Sequence, residues 1–109
     1  MNNKVIIAFS TCPDLTEGRA LADRLVGRGL AACVNLIPQL TSVYRWQGRV
    51  QSDDECLLVI KTTEDSVAAV RDCILQHHSY ELPEMVAVPV CDGLPAYLQW
   101  VVDQCARRT

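Results

Sequence analysis

Two adjacent histidines, His77 and His78, are the side chains best suited by type to carry chemistry in this sequence. Imidazole is a common ligand for copper, zinc and nickel, so the pair suggests a metal site. Adjacent residues point about 100° apart on a helix and to opposite faces of a strand. A site that uses both rings therefore needs a frayed helix end, or ligands from another element or subunit. The alternative is structural, because a histidine near a helix C-terminus interacts favourably with the helix dipole and needs no metal.

A cysteine, Cys12, lies in the segment Ser10-Thr11-Cys12-Pro13-Asp14, between a predicted strand and a predicted helix. Backbone amides at such a junction are free to meet an anion or another ligand. Cys12 is a candidate thiolate ligand or redox-sensitive thiol, since a helix N-terminus lowers the pKa of a nearby thiol. The alternative is a small apolar side chain that fills space under the turn.

Six cysteines in 109 residues would also fit a disulfide framework. The apolar run over 5–9 is shorter than the ~7 residues that a secretory signal needs, so we expect a cytoplasmic protein with reduced thiols. The closest two cysteines are 14 residues apart, which excludes a Cys-x-x-Cys zinc knuckle. Most of the six are therefore expected in the core.

Known catalytic motifs are missing from the sequence: it has no glycine-rich phosphate loop, no G-x-S-x-G elbow and no His-Glu-x-x-His. Four polar residues near predicted element ends could meet in a cleft, although each alone is more often an ordinary solvated side chain; they are Lys61, Tyr80, Glu81 and Glu84. No catalytic residue is predicted, and we expect a protein that is not an enzyme.

Composition narrows the class of protein further. Half of the residues are hydrophobic (50%), 21% are charged and the net charge is −3, which excludes intrinsic disorder. No apolar run approaches the ~18 residues of a membrane span, and no charge cluster suggests nucleic acid as a partner. We expect one domain over 1–109 with more apolar surface than one small core needs, which indicates a subunit interface.

The elements that must position these residues follow the order β-α-β-β-α-β plus a final helix, an α+β, ferredoxin-like split βαβ pattern. Asp14 and Glu17 form a predicted capping box at the start of the first helix, and Gly29 is its predicted left-handed cap. Predicted helices cover 15–28, 64–78 and the segment after Pro95, and predicted strands cover 5–9, 30–46, 49–62 and 84–91.

The residues over 30–62 are predicted to form one long hairpin that turns at Gln47-Gly48, where Gly48 supplies a positive φ. Pro38 cannot donate to a ladder and marks an edge or a bulge. An arm of this length reaches about 45 to 50 Å, against a diameter of roughly 34 Å for a compact chain of this size. The hairpin must bend or project, and a projecting hairpin needs a partner chain to cover it.

Several segments spread over nearly the whole chain carry a joint pattern. They are Leu30-Ala31-Ala32-Cys33-Val34-Asn35-Leu36-Ile37-Pro38, Ser42-Val43-Tyr44-Arg45-Trp46-Gln47-Gly48, Lys61-Thr62-Thr63, His77-His78-Ser79-Tyr80-Glu81-Leu82-Pro83-Glu84 and Tyr97-Leu98-Gln99-Trp100. From Val5 to about Ala106 the sequence closely resembles the CutA divalent-cation-tolerance family. The resemblance implies a ferredoxin-like subunit in a tight homotrimer, with hairpins that wrap neighbouring subunits and a shape like that of PII signalling proteins.

The resemblance also implies a link to copper and other divalent metals. In bacterial relatives the proposed copper ligands are a cysteine at the end of strand one and two consecutive histidines after helix two. His77 and His78 match the histidines, whereas the cysteine position falls on Ser10, with Cys12 two residues on. The expected metal ligands are therefore His77, His78 and Cys12. A further departure is Ser79, which stands where relatives often carry proline.

The resulting expectation is a trimeric, cytoplasmic, non-catalytic protein that binds copper or another divalent metal and takes part in tolerance to divalent cations. The alternative is a PII-like module that binds a small anionic ligand in the inter-subunit cleft, through Lys61 and the amides after Thr11.

Overall fold

Residues 3–105 are described by a computed structural model, in which strands and helices alternate in the predicted order. The α+β class, the ferredoxin-like arrangement and the long hairpin are thereby confirmed. The strands are β1 (Val5–Cys12), β2 (Cys33–Trp46), β3 (Arg49–Thr63) and β4 (Val86–Pro89); the helices are α1 (Leu15–Gly27), α2 (Val67–His77), preceded by a 3-10 turn over Glu64–Ser66, and α3 (Pro95–Cys105).

The strands form one antiparallel sheet in the order β2-β3-β1-β4, which places β2 and β4 at its edges. Both prolines of the predicted strands lie on these edge strands, where a missing N–H does not break a central ladder. Pro38 lies in a bulge where the register shifts between Ile37 and Leu40, and Pro89 ends β4. The prediction for Pro38 is confirmed.

The hairpin of β2 and β3 turns at Gln47 (φ 51°) and Gly48 (φ 80°), so the predicted left-handed glycine is confirmed. Strand β1 pairs with β3 only over residues 56–63. The outer part of the hairpin, residues 40–55, therefore contains β2 and β3 alone, and we call this two-stranded part the ribbon. The ribbon extends the protein to 46 × 27 × 21 Å. The hairpin thus projects from the rest of the protein, which is one of the two outcomes that its length predicted.

Helix α1 ends in a Schellman motif, in which Gly29 has a φ of 72°. The Gly29 amide donates to the Val26 carbonyl (3.0 Å) and the Leu30 amide donates to the Leu25 carbonyl (2.9 Å). The chain then turns directly towards β2, so this cap sets the path from helix to hairpin.

We expect Gly29→Ala to lower the free energy of unfolding by about 1 kcal/mol, because a Cβ disfavours the left-handed conformation. Gly27→Ala is the matched control: it lies in the last turn of α1, where an added Cβ meets no atom within 4 Å. That control should leave stability unchanged or raise it by about 0.5 kcal/mol. Urea denaturation of both variants measures the difference, and equal effects would contradict the role assigned to Gly29.

The core lies mainly between helices α1 and α2 and the face of the sheet that they cover. It contains Leu25, Leu58, Ile60, Val70 and Ile74. A smaller cluster on the opposite face packs α3 against the start of β1; its buried members are Val5, Ala32, Val101 and Cys105. Four of the six cysteines are buried, as predicted for core residues: Cys12, Cys56, Cys73 and Cys105. Among the described helices, none has the length and hydropathy needed to cross a membrane.

Candidate metal centre

Three metal-binding side chains from different parts of the chain meet at one end of the sheet: Cys12, Glu17 and His78. Their ligand atoms all lie within 4.8 Å of one another. The Cys12 Sγ is 3.7 Å from the His78 Nε2, and a Glu17 carboxylate oxygen is 3.7 Å from the His78 Nδ1. We call these three residues the CEH cluster. A thiol, a carboxylate and an imidazole together form a donor set suited to borderline divalent cations.

Local backbone features bring the three side chains together. Cys12 is the last residue of β1, and Asp14 caps α1 by accepting the Glu17 amide (2.9 Å). His78 follows the last helical residue of α2 and adopts an extended backbone (φ −84°, ψ 144°). This end of the helix turns the imidazole of His78 towards β1, whereas His77 is still the last residue of α2.

The imidazole of His78 is held by two backbone groups. Its Nε2 lies 2.6 Å from the Thr11 carbonyl oxygen, so this nitrogen carries the proton and donates it. Its Nδ1 accepts the Tyr80 amide at 3.1 Å, and the Tyr80 ring packs against it with centroids 4.7 Å apart. These two hydrogen bonds fix the orientation of the ring. A cation that binds His78 must replace one of these two hydrogen bonds.

The carboxylate of Glu17 is held by Ser79 rather than by its own helix. The Ser79 amide donates to Glu17 at 3.0 Å and the Ser79 hydroxyl donates at 2.8 Å. The predicted capping box is therefore only half formed: the Asp14 carboxylate accepts the Glu17 amide, but the Glu17 carboxylate binds Ser79 and does not reach back to the Asp14 amide as a capping box requires. A proline at 79 would have neither donor. In this chain the serine therefore ties the loop after α2 to the start of α1.

The thiol of Cys12 is fully buried, and burial raises its pKa to about 12, with smaller contributions from the negative charges of Glu17, Asp14 and Glu55 and from Cys56. The expectation of a depressed pKa is wrong, because burial and nearby acids outweigh the effect of the helix N-terminus. Cys12 is accordingly a neutral thiol near neutral pH.

Ser10 and His77 lie outside the CEH cluster. Ser10 is fully buried and its hydroxyl donates to the Glu84 carbonyl at 2.8 Å, so it serves to anchor the loop before β4. The Nε2 of His77 is buried and finds no hydrogen-bond partner within residues 3–105. Burial, together with the charges of Arg24 and Arg28, lowers the pKa of His77. Within one protomer the structure thus brings together Cys12 and His78 of the predicted ligands.

Glu17 and Glu55 are the residues that the sequence did not single out as part of a site. Glu55 is almost buried at 9% exposure and accepts the Tyr80 hydroxyl at 2.8 Å. Lys61 lies elsewhere, with its ammonium 5.8 Å from the centroid of the Tyr97 ring. Only the capping-box pattern drew attention to Glu17, and that pattern assigned its carboxylate to the backbone.

A ferredoxin-like sheet with a projecting hairpin and a thiol-imidazole-carboxylate cluster defines a class of small α+β proteins with a candidate cation site. Residues 6–104 match the family described as CutA1 divalent ion tolerance protein. The chain belongs to this family.

Relatives with solved or curated descriptions support the assignment. The human "Protein CutA" is 46% identical over 97 residues, covering 89% of this chain and 54% of that protein. The "Divalent-cation tolerance protein CutA" of Thermus thermophilus is 42% identical over 95 residues, covering 87% and 92%. The crystal structure of CutA from Xylella fastidiosa superposes with a TM-score of 0.91 at 42% identity, covering 94% and 98%.

Relatives differ in length and in the compartment that their names state. The chain spans between 54% and 64% of the length of the human and Xenopus laevis proteins that it matches. A relative from Arabidopsis thaliana is named as chloroplastic. A cytoplasmic location for this chain therefore stays a prediction.

Proposed function

We propose that this protein is a non-catalytic, homotrimeric divalent-cation binder that takes Cu²⁺ through Cys12, Glu17 and His78. The observation that carries the proposal is the convergence of one sulfur, one nitrogen and one oxygen ligand within 4.8 Å. Mixed soft and borderline donors favour Cu²⁺ or Zn²⁺ over Mg²⁺ and Ca²⁺, and Cu²⁺ stands above Zn²⁺ in the general order of affinities.

Binding at the CEH cluster has identifiable costs. The Cys12 thiol must lose its proton, the His78 ring must give up a backbone hydrogen bond, and Glu17 must be shared with Ser79. These costs make the cluster a selective site of moderate affinity, since a cation that cannot bind thiolate gains too little to offset them. Such a site suits a response to raised metal levels better than permanent storage.

Calorimetric titration with Cu²⁺ at two pH values between 6.5 and 8 tests the proposal on the variant Cys56→Ala, which keeps the three proposed ligands but lacks the thiol opposite Cys12 in the β1–β3 ladder. We expect about one Cu²⁺ per chain and an apparent affinity that rises about tenfold per pH unit, because one thiol proton leaves on binding. The rise is expected throughout this range, which lies below the raised pKa of Cys12. Mg²⁺ is the control cation and should give no comparable heat. Absence of Cu²⁺ binding, or an affinity independent of pH, would contradict the assignment of Cys12 as a ligand.

The proposed trimer is supported by the ribbon beyond Cys56. The side chains of Val43 and Val50 are 70% and 65% exposed on one face of this ribbon, and β2 is an open edge of the sheet. A two-stranded ribbon with apolar side chains is marginally stable in water, and an open edge invites pairing with another chain. A neighbouring subunit provides that cover, and the number three follows from what the family resemblance implies.

A cytoplasmic location is proposed on the state of the thiols. Within the described residues, free thiols are found at Cys12, Cys33, Cys56, Cys73 and Cys91. Free thiols persist in a reducing compartment, and so does a thiol ligand that must stay available for a cation.

A further inference from the structure

A second buried thiol, Cys56, lies directly opposite Cys12 across the β1–β3 ladder. The two residues are 1% and 0% exposed, both are free thiols, and both belong to the same core cluster. Directly opposed residues of an antiparallel pair project from one face, with Cα atoms about 4.5 to 5.5 Å apart. A disulfide spans Cα distances of about 4.4 to 6.8 Å, so this pair can be bridged without moving the strands.

The two thiols differ in their relation to the CEH cluster. The Cys12 Sγ lies 3.7 Å from the His78 Nε2, whereas the Cys56 Sγ lies beneath α1 at Gly18, where an added Cβ would come within 3.2 Å of it. Cys56 is therefore not a ligand of the proposed site. It lies close enough to bond with Cys12, which is a ligand. Burial protects both thiols from dissolved oxidants. An oxidant can reach the pair only by binding to Cys12 at the CEH cluster.

We propose that Cys12 and Cys56 form a dithiol that reduces bound Cu²⁺ to Cu⁺ and closes as a disulfide within the chain. The inference rests on the proposed copper site, which supplies the oxidant. Each thiol gives up one proton and one electron: two Cu²⁺ ions become two Cu⁺ ions, two protons leave, and one S–S bond forms between Cys12 and Cys56. The step consumes the dithiol once per chain and is not a catalytic cycle unless a cellular thiol reductant reopens the disulfide.

Closure of the disulfide also removes the thiolate from the CEH cluster. The Cu⁺ product prefers soft sulfur ligands, and it is left with the imidazole of His78 and the carboxylate of Glu17. Reduction and release are thereby coupled, because the S–S bond that forms when the two thiols give up their electrons also takes away the ligand that the Cu⁺ product needs most.

The test uses the purified full chain with the exposed thiol removed by Cys91→Ser, since Cys91 is exposed and could react with copper by itself. Under anaerobic conditions, two equivalents of Cu²⁺ are added and Cu⁺ is counted with a chelating dye specific for that ion. We expect about two Cu⁺ per chain, a mass lower by two hydrogen atoms, and a peptide map that links Cys12 to Cys56. A disulfide mapped to any other pair overturns the proposal.

The variant Cys56→Ala should yield about tenfold less Cu⁺. Its affinity for Zn²⁺, which a dithiol cannot reduce, should stay close to that of the parent. Cys73→Ala is the matched control, because Cys73 is another core thiol at 2% exposure but lies on α2. That control should keep the full yield. Normal Zn²⁺ binding with an undiminished Cu⁺ yield in Cys56→Ala overturns the dithiol alone. Failure of the parent protein to bind Cu²⁺ overturns the proposed function as well. The peptide map of the parent decides the question even if Cys56→Ala fails to fold.

Discussion

Replacing His78 by alanine is expected to lower the affinity for Cu²⁺ by about 100-fold or more. The change removes the nitrogen ligand of the CEH cluster. Mutation of a residue that only supports a metal ligand already lowers metal affinity by about 10- to 100-fold. The remaining thiol and carboxylate, Cys12 and Glu17, bind a cation without an imidazole to hold it between them. Competition with a chelator of known affinity measures the loss.

His77→Ala is the matched control, since it removes the same group from the neighbouring position. His77 lies outside the CEH cluster, so its variant should bind Cu²⁺ nearly as the parent does. Losses of equal size in the two variants would show that both rings act as ligands, with His77 reaching a cation from another arrangement or subunit. No loss in either variant would remove the site.

His78→Ala also removes the hydrogen bonds to Thr11 and Tyr80, so a second variant separates ligand loss from loss of fold. Cys12→Ser keeps nearly the size of the side chain but replaces the thiol by a poor ligand for copper. We expect a comparable fall in Cu²⁺ affinity with a far-ultraviolet spectrum unchanged from the parent. A folded Cys12→Ser variant that binds copper at full strength would contradict the thiol as a ligand.

Introducing two aspartates on the ribbon, as Val43→Asp/Val50→Asp, is expected to convert the proposed trimer into monomers at micromolar concentration. Both side chains are mostly exposed within one protomer, at 70% and 65%, so the fold of a single chain should tolerate the change. In a trimer that covers this face, each aspartate would be buried without a partner, which costs several kcal/mol per site. Native mass spectrometry gives the oligomeric state directly.

The control for this variant places the same charges on another exposed apolar surface. Val26 and Leu75, on the helices, are 44% and 62% exposed, and Val26→Asp/Leu75→Asp should leave the oligomeric mass unchanged. A parent protein that is already monomeric, or a ribbon variant that keeps the mass of the parent, would refute the proposed role of the ribbon.

The sequence by itself determined the elements and most of their ends, because these depend on residues close together along the chain. Gly29 and Gly48 have the left-handed φ values that their positions predicted, and Pro38 lies in a bulge on an edge strand. The hairpin was long enough to require a projection, and the ribbon beyond Cys56 provides it. Each of these predictions rests on a local steric rule or on a simple length.

The tertiary structure decided which side chains share the site. Two adjacent histidines are equivalent in a sequence, but the helix ends between them, so His78 turns to Cys12 while His77 stays on α2 under the influence of the Arg24 and Arg28 charges. The capping-box pattern paired Glu17 with Asp14, three residues away. In the structure Ser79, 62 residues away, binds the Glu17 carboxylate. The placement of Cys12 opposite Cys56 depends on the register of two strands separated by a helix and one arm of the hairpin. Such contacts are set by packing between distant segments, and local sequence patterns cannot predict them.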